Sequence, residues 1–152
     1  MPNSLLHFLL SVLTLVIGGA LEELFPKVAG VGFPVLLAAV QFSAVRRPVL
    51  VAALFALAAG AVEDSLSSLP VMTSASYFLS VAFLTHWLEF PRAAILLTYP
   101  CYQLWLWMWM PMLRGNVFHR VLVSVPIGLL AVVTVGAVLV WVERRAAIDE
   151  AG

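Results

Sequence analysis

Charged side chains are scarce in this chain of 152 residues. Only 11% of the residues are Asp, Glu, Lys or Arg, whereas soluble domains carry about 25%. Hydrophobic residues make up 63%, and the mean hydropathy is +1.06. Because no polar segment is long enough for a separate soluble domain, the sequence predicts one integral membrane domain over residues 1–152. The net charge is zero and the basic residues are scattered, which excludes the basic patch of a nucleic-acid-binding protein.

The chain also has few of the residues that carry chemistry. Cys101 is the single cysteine, which excludes an internal disulfide and a CxxC metal or redox site. His7, His86 and His119 are far apart, and the sequence has no HExxH, GxSxG or phosphate-binding glycine loop. The paired glutamates of EELFPK, residues 22–27, are similar to those of intramembrane prenyl-protein proteases, but that chemistry also needs histidines at fixed helical spacings. We therefore expect no catalysis, no cofactor and no metal.

The apolar runs have the length of membrane-spanning helices. A helix that crosses a hydrocarbon core of about 30 Å needs about 20 apolar residues. This rule predicts an all-α fold, a polytopic bundle of about six transmembrane helices. The first run lacks the Lys or Arg of a signal peptide, and we interpret it as a retained helix. The predicted helices cover about residues 4–21, 32–45, 49 onward, 72–90, 93–113 and 117–142, and a short polar tail covers 143–152.

Prolines and tryptophans mark the last two helices. Pro100 and Pro126 each remove a helical hydrogen bond, so we expect a kink at each. Trp105, Trp107 and Trp109 occupy every second position, a spacing that spreads the rings around the helix. We interpret them mainly as an interfacial aromatic belt, and a ligand cage is the alternative.

The placement of Lys and Arg predicts the orientation in the membrane. With six spans, the larger group of basic residues falls on the side of the two termini. That group is Arg46, Arg47, Arg92, Arg144 and Arg145, and the smaller group on the opposite side is Lys27, Arg114 and Arg120. Both termini are therefore predicted to be cytoplasmic.

Two adjacent carboxylates interrupt the apolar pattern in the segment GAVEDSLSSLP. The apolar stretch before Glu63 gives about 21 Å of helix, which is too short for a full span. Either the helix continues through the acids to Leu69, which places Asp64 inside the bundle with a partner, or Asp64 or Ser65 caps a short turn in a shallow loop.

The six-span topology supplies counterions for these acids. Arg114 and Arg120 lie on the same side of the membrane as Glu63 and Asp64. We predict that Asp64 pairs with one of the two arginines and ties helix 3 to the loop between helices 5 and 6.

Small residues recur every fourth position below the acids, at Ala52, Ala56 and Gly60. Without side-chain bulk, another helix can approach closely along this stripe. We expect it to pack mostly within the same chain. Together with the Trp-rich helix 5, it is also a candidate surface for a partner.

The segment RRPVLVAALFALAAGAVEDSLSSLPVMTSASYFL resembles the rod shape-determining protein MreD family. The chain length and the number of predicted spans agree with the family over most of the chain, and the motif itself covers about 30 residues. Its matching residues are Arg46 or Arg47, Gly60, Asp64, Leu69 and Tyr77, and Pro70 stands where the family usually has a glycine. The chain therefore resembles a divergent member of this family.

The resemblance implies a non-enzymatic scaffold of the bacterial cell-elongation machinery in the inner membrane. It implies partners such as the bitopic protein MreC, the actin-like MreB and enzymes of peptidoglycan synthesis. It also implies an architecture similar to the substrate-binding subunits of energy-coupling-factor transporters. That similarity supplies the alternative function, a subunit that binds a vitamin-type small molecule and works with a separate ATPase. The scarcity of polar residues in the predicted spans favours the scaffold.

Overall fold

A computed structural model describes residues 2–25, 27, 31–87, 97–110 and 117–149. In this part of the chain the predicted all-α fold is confirmed, since the residues form six helices and no β-strand. Two of the described helices, α3 and residues Val117–Arg145 of α6, are long and apolar enough to cross a membrane. The helices are α1 (Pro2–Leu24), α2 (Val35–Arg46), α3 (Val49–Leu66), α4 (Thr73–Trp87), α5 (Thr98–Trp109) and α6 (Val117–Asp149).

The short helix α2 forms the centre of the bundle. It contacts α1, α3, α4 and α6, and every residue from 35 to 41 is buried. A helix that is apolar on all sides is stable when other helices surround it. Among the remaining pairs, the most extensive contacts are between α3 and α4 and between α5 and α6, which are consecutive in the chain. The core therefore lies around α2 and the α3–α4 hairpin.

Two predicted features near the ends of helices differ in the structure. Residues 143–149 continue α6 instead of forming a separate tail, because Glu, Arg and Ala are favourable in helices. Pro100 falls in the first turn of α5, where its missing N–H would have no partner within the helix, so it need not kink α5. Pro126 lies inside α6, as predicted. The predicted boundaries at 90, 93 and 113 fall outside the described residues.

The structure also decides between the two arrangements for the acidic segment. α3 continues through Glu63 and Asp64 and ends at Leu66, so the acids are helical and the shallow loop is wrong. Asp64 is buried, with 5% of its surface exposed. The chain then reverses through a turn in which Ser68 and Met72 adopt left-handed conformations, with φ of 52° and 73°. This turn brings the start of α4 back against the last turns of α3.

Candidate functional site

At Gly60, α3 packs directly against the backbone of α4. A Cβ atom at Gly60 would lie 2.2 Å from Ala75 Cα and 2.5 Å from the Ala75 backbone nitrogen. Only glycine fits there, because the opposing atoms are backbone and cannot move aside. Ala52 and Ala56, lower on the same stripe, are also buried. The stripe therefore packs within the chain and is not exposed to a partner.

Asp64 lies one turn beyond Gly60 on the same face of α3 and reaches the start of α4. The backbone N–H of Ser74 donates to Asp64 Oδ1 at 2.7 Å. A carboxylate at this position satisfies one of the amides that a helix start leaves without a partner, and it also interacts favourably with the helix dipole. Asp64 Oδ2 accepts no hydrogen bond from the described residues.

The observed partner of Asp64 differs from the predicted one. We expected a tie to Arg114 or Arg120, whereas the structure ties Asp64 to α4. The reason is geometric, since the contact at Gly60 brings the amides of α4 next to the end of α3. Arg114 lies outside the described residues. Arg120, near the start of α6, lines a cavity that Glu63 also lines.

Hydrogen bonds from aromatic residues join α4 to α5. The Ser74 and Tyr102 hydroxyls are 2.5 Å apart, and the indole N–H of Trp105 donates to the Thr73 carbonyl at 2.9 Å. The Tyr77 hydroxyl donates to the carbonyl of Thr98. Because a buried hydroxyl without a partner is costly, these bonds fix the register of the two helices.

Glu22 links α1 to α2 in the same way that Asp64 links α3 to α4. The backbone N–H of Leu36, in the first turn of α2, donates to Glu22 Oε1 at 2.7 Å. Pro34, the residue that precedes α2, makes no side-chain capping bond, so Glu22 provides the cap from another helix. Glu63, on α3, lines the same cavity as Glu22.

These acids line a cavity of about 180 Å³, hereafter the polar cavity. It lies at the end of the bundle where α1, α3 and α5 end and where α2 and α6 begin. The acidic, basic and amide side chains of the lining come from α1, α3, α5 and α6 and from the segment after α1. The aromatic side chains come from α4, α5 and the segment before α2. The lining includes Glu22, Glu23, Lys27, Phe33, Glu63, Phe78, Tyr99, Tyr102, Gln103 and Arg120.

At the opposite end of the bundle, Glu143 joins α6 to the end of α2. Its carboxylate contacts Arg46 Nη1 at 3.1 Å and Arg47 Nη2 at 2.8 Å. An apolar groove of about 340 Å³ lies between α1, α2 and α6 and reaches Arg47 and Glu143. The groove is lined mainly by aliphatic side chains with few polar groups, so it suits hydrocarbon rather than a polar molecule.

Metal ligands are not clustered in the described residues, where no three His, Cys, Asp or Glu side chains are arranged to hold an ion. Cys101 is exposed on α5 rather than packed in the core. Of the three tryptophans on α5, Trp105 packs against Tyr77 with ring centroids 6.0 Å apart, while Trp107 and Trp109 are exposed. This arrangement fits the aromatic belt better than the ligand cage.

Sequence reasoning missed Glu22, Gln103 and Glu143 as functional candidates. Glu22 offered one usable signal, because it lies shortly before a helix whose start, at Pro34, has no residue able to cap it. Glu143 offered another, since the six-span topology puts it on the same side as Arg46 and Arg47. Gln103 offered only its polarity within an apolar run.

Comparison of the chain with protein-family models, with curated proteins and with solved structures gave no match. The resemblance to the MreD family therefore stays a prediction from the motif residues.

Proposed function

We propose that the chain is a multi-pass protein of the bacterial inner membrane, a polytopic bundle of about six helices with both termini in the cytoplasm. The support is the apolar outer surface of the bundle. Large hydrophobic side chains are exposed on several helices, and a surface of this kind is stable in lipid but not in water. Examples are Phe8 and Val16 on α1, Leu50 and Leu54 on α3, and Leu129, Leu130 and Val133 on α6.

Labelling of single cysteines tests this topology. In a Cys101→Ser background, one cysteine replaces Ser67 in the exposed α3–α4 turn and another replaces Arg144 on α6. In spheroplasts, a membrane-impermeant maleimide is expected to label position 67, and it should label position 144 only after lysis. Labelling of position 144 from outside would contradict the topology.

Within this membrane setting, we propose a non-enzymatic scaffold of the cell-elongation machinery, acting with an MreC-like bitopic protein and enzymes of peptidoglycan synthesis. The observation that carries the proposal is the α3–α4 hairpin. Gly60 and Asp64, through which the sequence resembles the MreD family, hold this hairpin together. A motif with a purely architectural role suits a scaffold. The exposed Trp107 and Trp109 on α5 are available to a partner helix.

The alternative, a subunit that binds a vitamin-type molecule, needs an enclosed pocket with several convergent polar groups. The polar cavity has such groups, but its volume of about 180 Å³ is below the roughly 300 Å³ at which sites for drug-sized ligands begin. The larger groove is apolar. We therefore favour the scaffold.

Depletion of the protein in its rod-shaped host, followed by microscopy, tests the scaffold. We expect cells to widen and round as elongation fails. Re-expression of the wild type should restore rod shape. Gly60→Ala should not restore it, while Gly136→Ala, at an open position of α6, should restore it. Normal cell width after depletion would overturn the proposal.

A further inference from the structure

We propose that the apolar groove between α1, α2 and α6 binds one acyl chain of an anionic phospholipid, with the phosphate of that lipid at Arg46 and Arg47. This lipid site rests on the proposed membrane setting, because a phospholipid must be within reach of the groove. It does not rest on the scaffold role. The dimensions of the groove, the chemistry of its lining and the charge at one end each support it.

The length of the groove matches one leaflet of a bilayer. α2 contacts both α1 and α6, so it forms the floor between them, and the lining extends along α2 from Val35 to Arg47. This part of the chain rises about 18 Å. The hydrocarbon of one leaflet is about 15 Å thick, half of a core of roughly 30 Å. The groove therefore has the length of an extended acyl chain and is too short for a helix that crosses both leaflets.

The width of the groove also favours a hydrocarbon chain. Its volume of about 340 Å³ gives room for roughly eleven groups of about 30 Å³ each, the volume of a water molecule, and a methylene group is of similar size. One acyl chain fits this space and two do not. A helix with its side chains is about 10 Å across, so a partner helix would lie on the rim and leave the groove unfilled.

The lining offers little to a polar occupant. The hydroxyl groups of Thr14 and Thr134 donate to carbonyl oxygens of their own helices, at Leu10 and Leu130, each at 2.7 Å. The other side chains along the walls are mainly aliphatic. A filled groove buries this apolar surface and leaves no hydrogen-bonding group of an acyl chain unsatisfied, because such a chain has none.

Positive charge is in excess at one end of the groove. Arg47 and Glu143 line this end, and Arg46 contacts the same carboxylate as Arg47. Two guanidinium groups thus share one carboxylate, and each uses a single Nη atom in that contact. The segments 46–47 and 143–145 together hold four arginines and one glutamate. A guanidinium group has five N–H donors and binds phosphate well, so an anionic headgroup complements this end.

Trp141 indicates that the charged end lies at the level of the lipid headgroups. Its ring is exposed on α6, and Arg145 Cζ lies 5.0 Å from the centroid of that ring. Exposed tryptophans and arginines of membrane helices concentrate at the interface between hydrocarbon and water. In the proposed topology this is the cytoplasmic surface, where anionic lipids attract basic residues. A lipid with its phosphate at Arg46 and Arg47 therefore has its acyl chain at the depth of the groove.

Native mass spectrometry of the full-length protein in a mild non-ionic detergent tests the site. The protein is titrated with phosphatidylglycerol, with phosphatidylcholine of the same acyl chains and with lysophosphatidylglycerol, which has one chain. We expect the first phosphatidylglycerol to bind at least about fivefold more tightly than phosphatidylcholine, because each arginine near the membrane surface favours an anionic lipid. Lysophosphatidylglycerol should bind within about threefold of phosphatidylglycerol, because only one chain enters the groove.

Val138→Trp tests the groove, and Val133→Trp is its matched control. Both valines are on α6 and 58% exposed, but only Val138 lines the groove. A tryptophan at position 138 occupies space that the acyl chain needs, so it should weaken phosphatidylglycerol binding by about fivefold or more, whereas the control should change it by less than about twofold.

Arg47→Gln and Glu143→Gln test the charged end in opposite directions. Arg47→Gln should weaken phosphatidylglycerol binding by about fivefold or more, and Lys27→Gln, which removes the same charge at the other end of the bundle, should change it by less than about twofold. Glu143→Gln removes the carboxylate that competes with the lipid phosphate, so it should strengthen binding by about twofold or more. Because Glu143→Gln is nearly isosteric, it keeps the test decisive if Arg47→Gln does not fold.

Equal affinity for phosphatidylglycerol and phosphatidylcholine would overturn the lipid site, as would wild-type affinity in Val138→Trp or in Glu143→Gln. The same spectra report the oligomeric state. A dimer that Val138→Trp disrupts, without any lipid preference in the wild type, would assign the groove to a second copy of the chain and overturn the lipid site. A protein that stays dispersed without detergent would instead refute the membrane setting itself.

Discussion

Asp64 Oδ1 accepts a hydrogen bond from the backbone N–H of Ser74 at 2.7 Å, so a carboxylate on α3 caps the first turn of α4. The same device occurs between Glu22 on α1 and Leu36 on α2. In both cases an acidic side chain on one helix accepts a hydrogen bond from a backbone N–H at the start of the next helix in the chain. A chain with few charges thus uses two of its acids to join consecutive helices at one end of the bundle.

We predict that the cap depends on an acceptor oxygen at position 64 and not on its charge. Asp64→Asn keeps an oxygen for the Ser74 N–H, and Oδ2 has no partner in the described structure to lose, so the free energy of unfolding should fall by less than about 1 kcal/mol. Asp64→Ala leaves the amide without a partner and should cost about 1–3 kcal/mol. Titration with SDS in detergent micelles, followed by circular dichroism, measures both. Equal losses for the two variants would contradict the capping role.

We predict that Gly60→Ala is the most damaging single methyl addition at any described glycine. The new Cβ would lie 2.2 Å from Ala75 Cα, and the overlap should reduce the free energy of unfolding by about 3 kcal/mol or more. Gly136→Ala on α6 is the matched control, because a Cβ there would meet no atom within 4 Å beyond its chain neighbours and the adjacent helix backbone, and it should be neutral or stabilising by up to about 1 kcal/mol. Adding Ala75→Gly should not rescue Gly60→Ala, since the obstructing atoms belong to the backbone. Recovery in that double variant would refute this explanation.

Apolar runs and prolines were sufficient to predict six helices, and most of their described ends lie within a few residues of the predicted ones. The stripe at Ala52, Ala56 and Gly60 also predicted a close helix contact, because the absence of side-chain bulk is visible in sequence. What it could not supply was the identity of the opposing helix. That depends on the turn at Ser68 and Met72, two residue types that rarely adopt left-handed conformations.

The polar contacts were less predictable than the helices. We expected Asp64 to pair with an arginine because opposite charges attract. Its observed partner is instead the Ser74 backbone amide. Every residue has an amide, so sequence alone cannot single out one. The polar cavity was missed for a related reason. Glu22, Glu63 and Gln103 are far apart in sequence, and only the packing of α1, α3 and α5 around α2 brings them together.

We predict that Glu22 stabilises the start of α2 through its side-chain oxygen. Glu22→Ala removes the acceptor for the Leu36 N–H and should reduce the free energy of unfolding by about 1–2 kcal/mol. Glu22→Gln keeps an acceptor, so its loss should be below about 1 kcal/mol. Glu23→Ala, at the exposed neighbouring position, is the control and should have little effect. If Glu23→Ala costs as much as Glu22→Ala, the stabilisation is a general effect of charge at this end of α1.

We predict a small energetic role for Glu143 despite its two arginine contacts. Arg46, Arg47 and Glu143 are all partly exposed, with 47%, 19% and 23% of their side chains accessible. Solvent and salt weaken such pairs, so Glu143→Gln should reduce the free energy of unfolding by less than about 1 kcal/mol, with a smaller difference from wild type at high salt. Glu143→Lys should cost more, because it places a third cation against the two arginines. SDS titration at low and high salt measures both variants, and Arg144→Gln on the exposed side of α6 controls for a change in net charge. A loss in Glu143→Gln that does not respond to salt would show that Glu143 acts through packing between α2 and α6, and not through its charge.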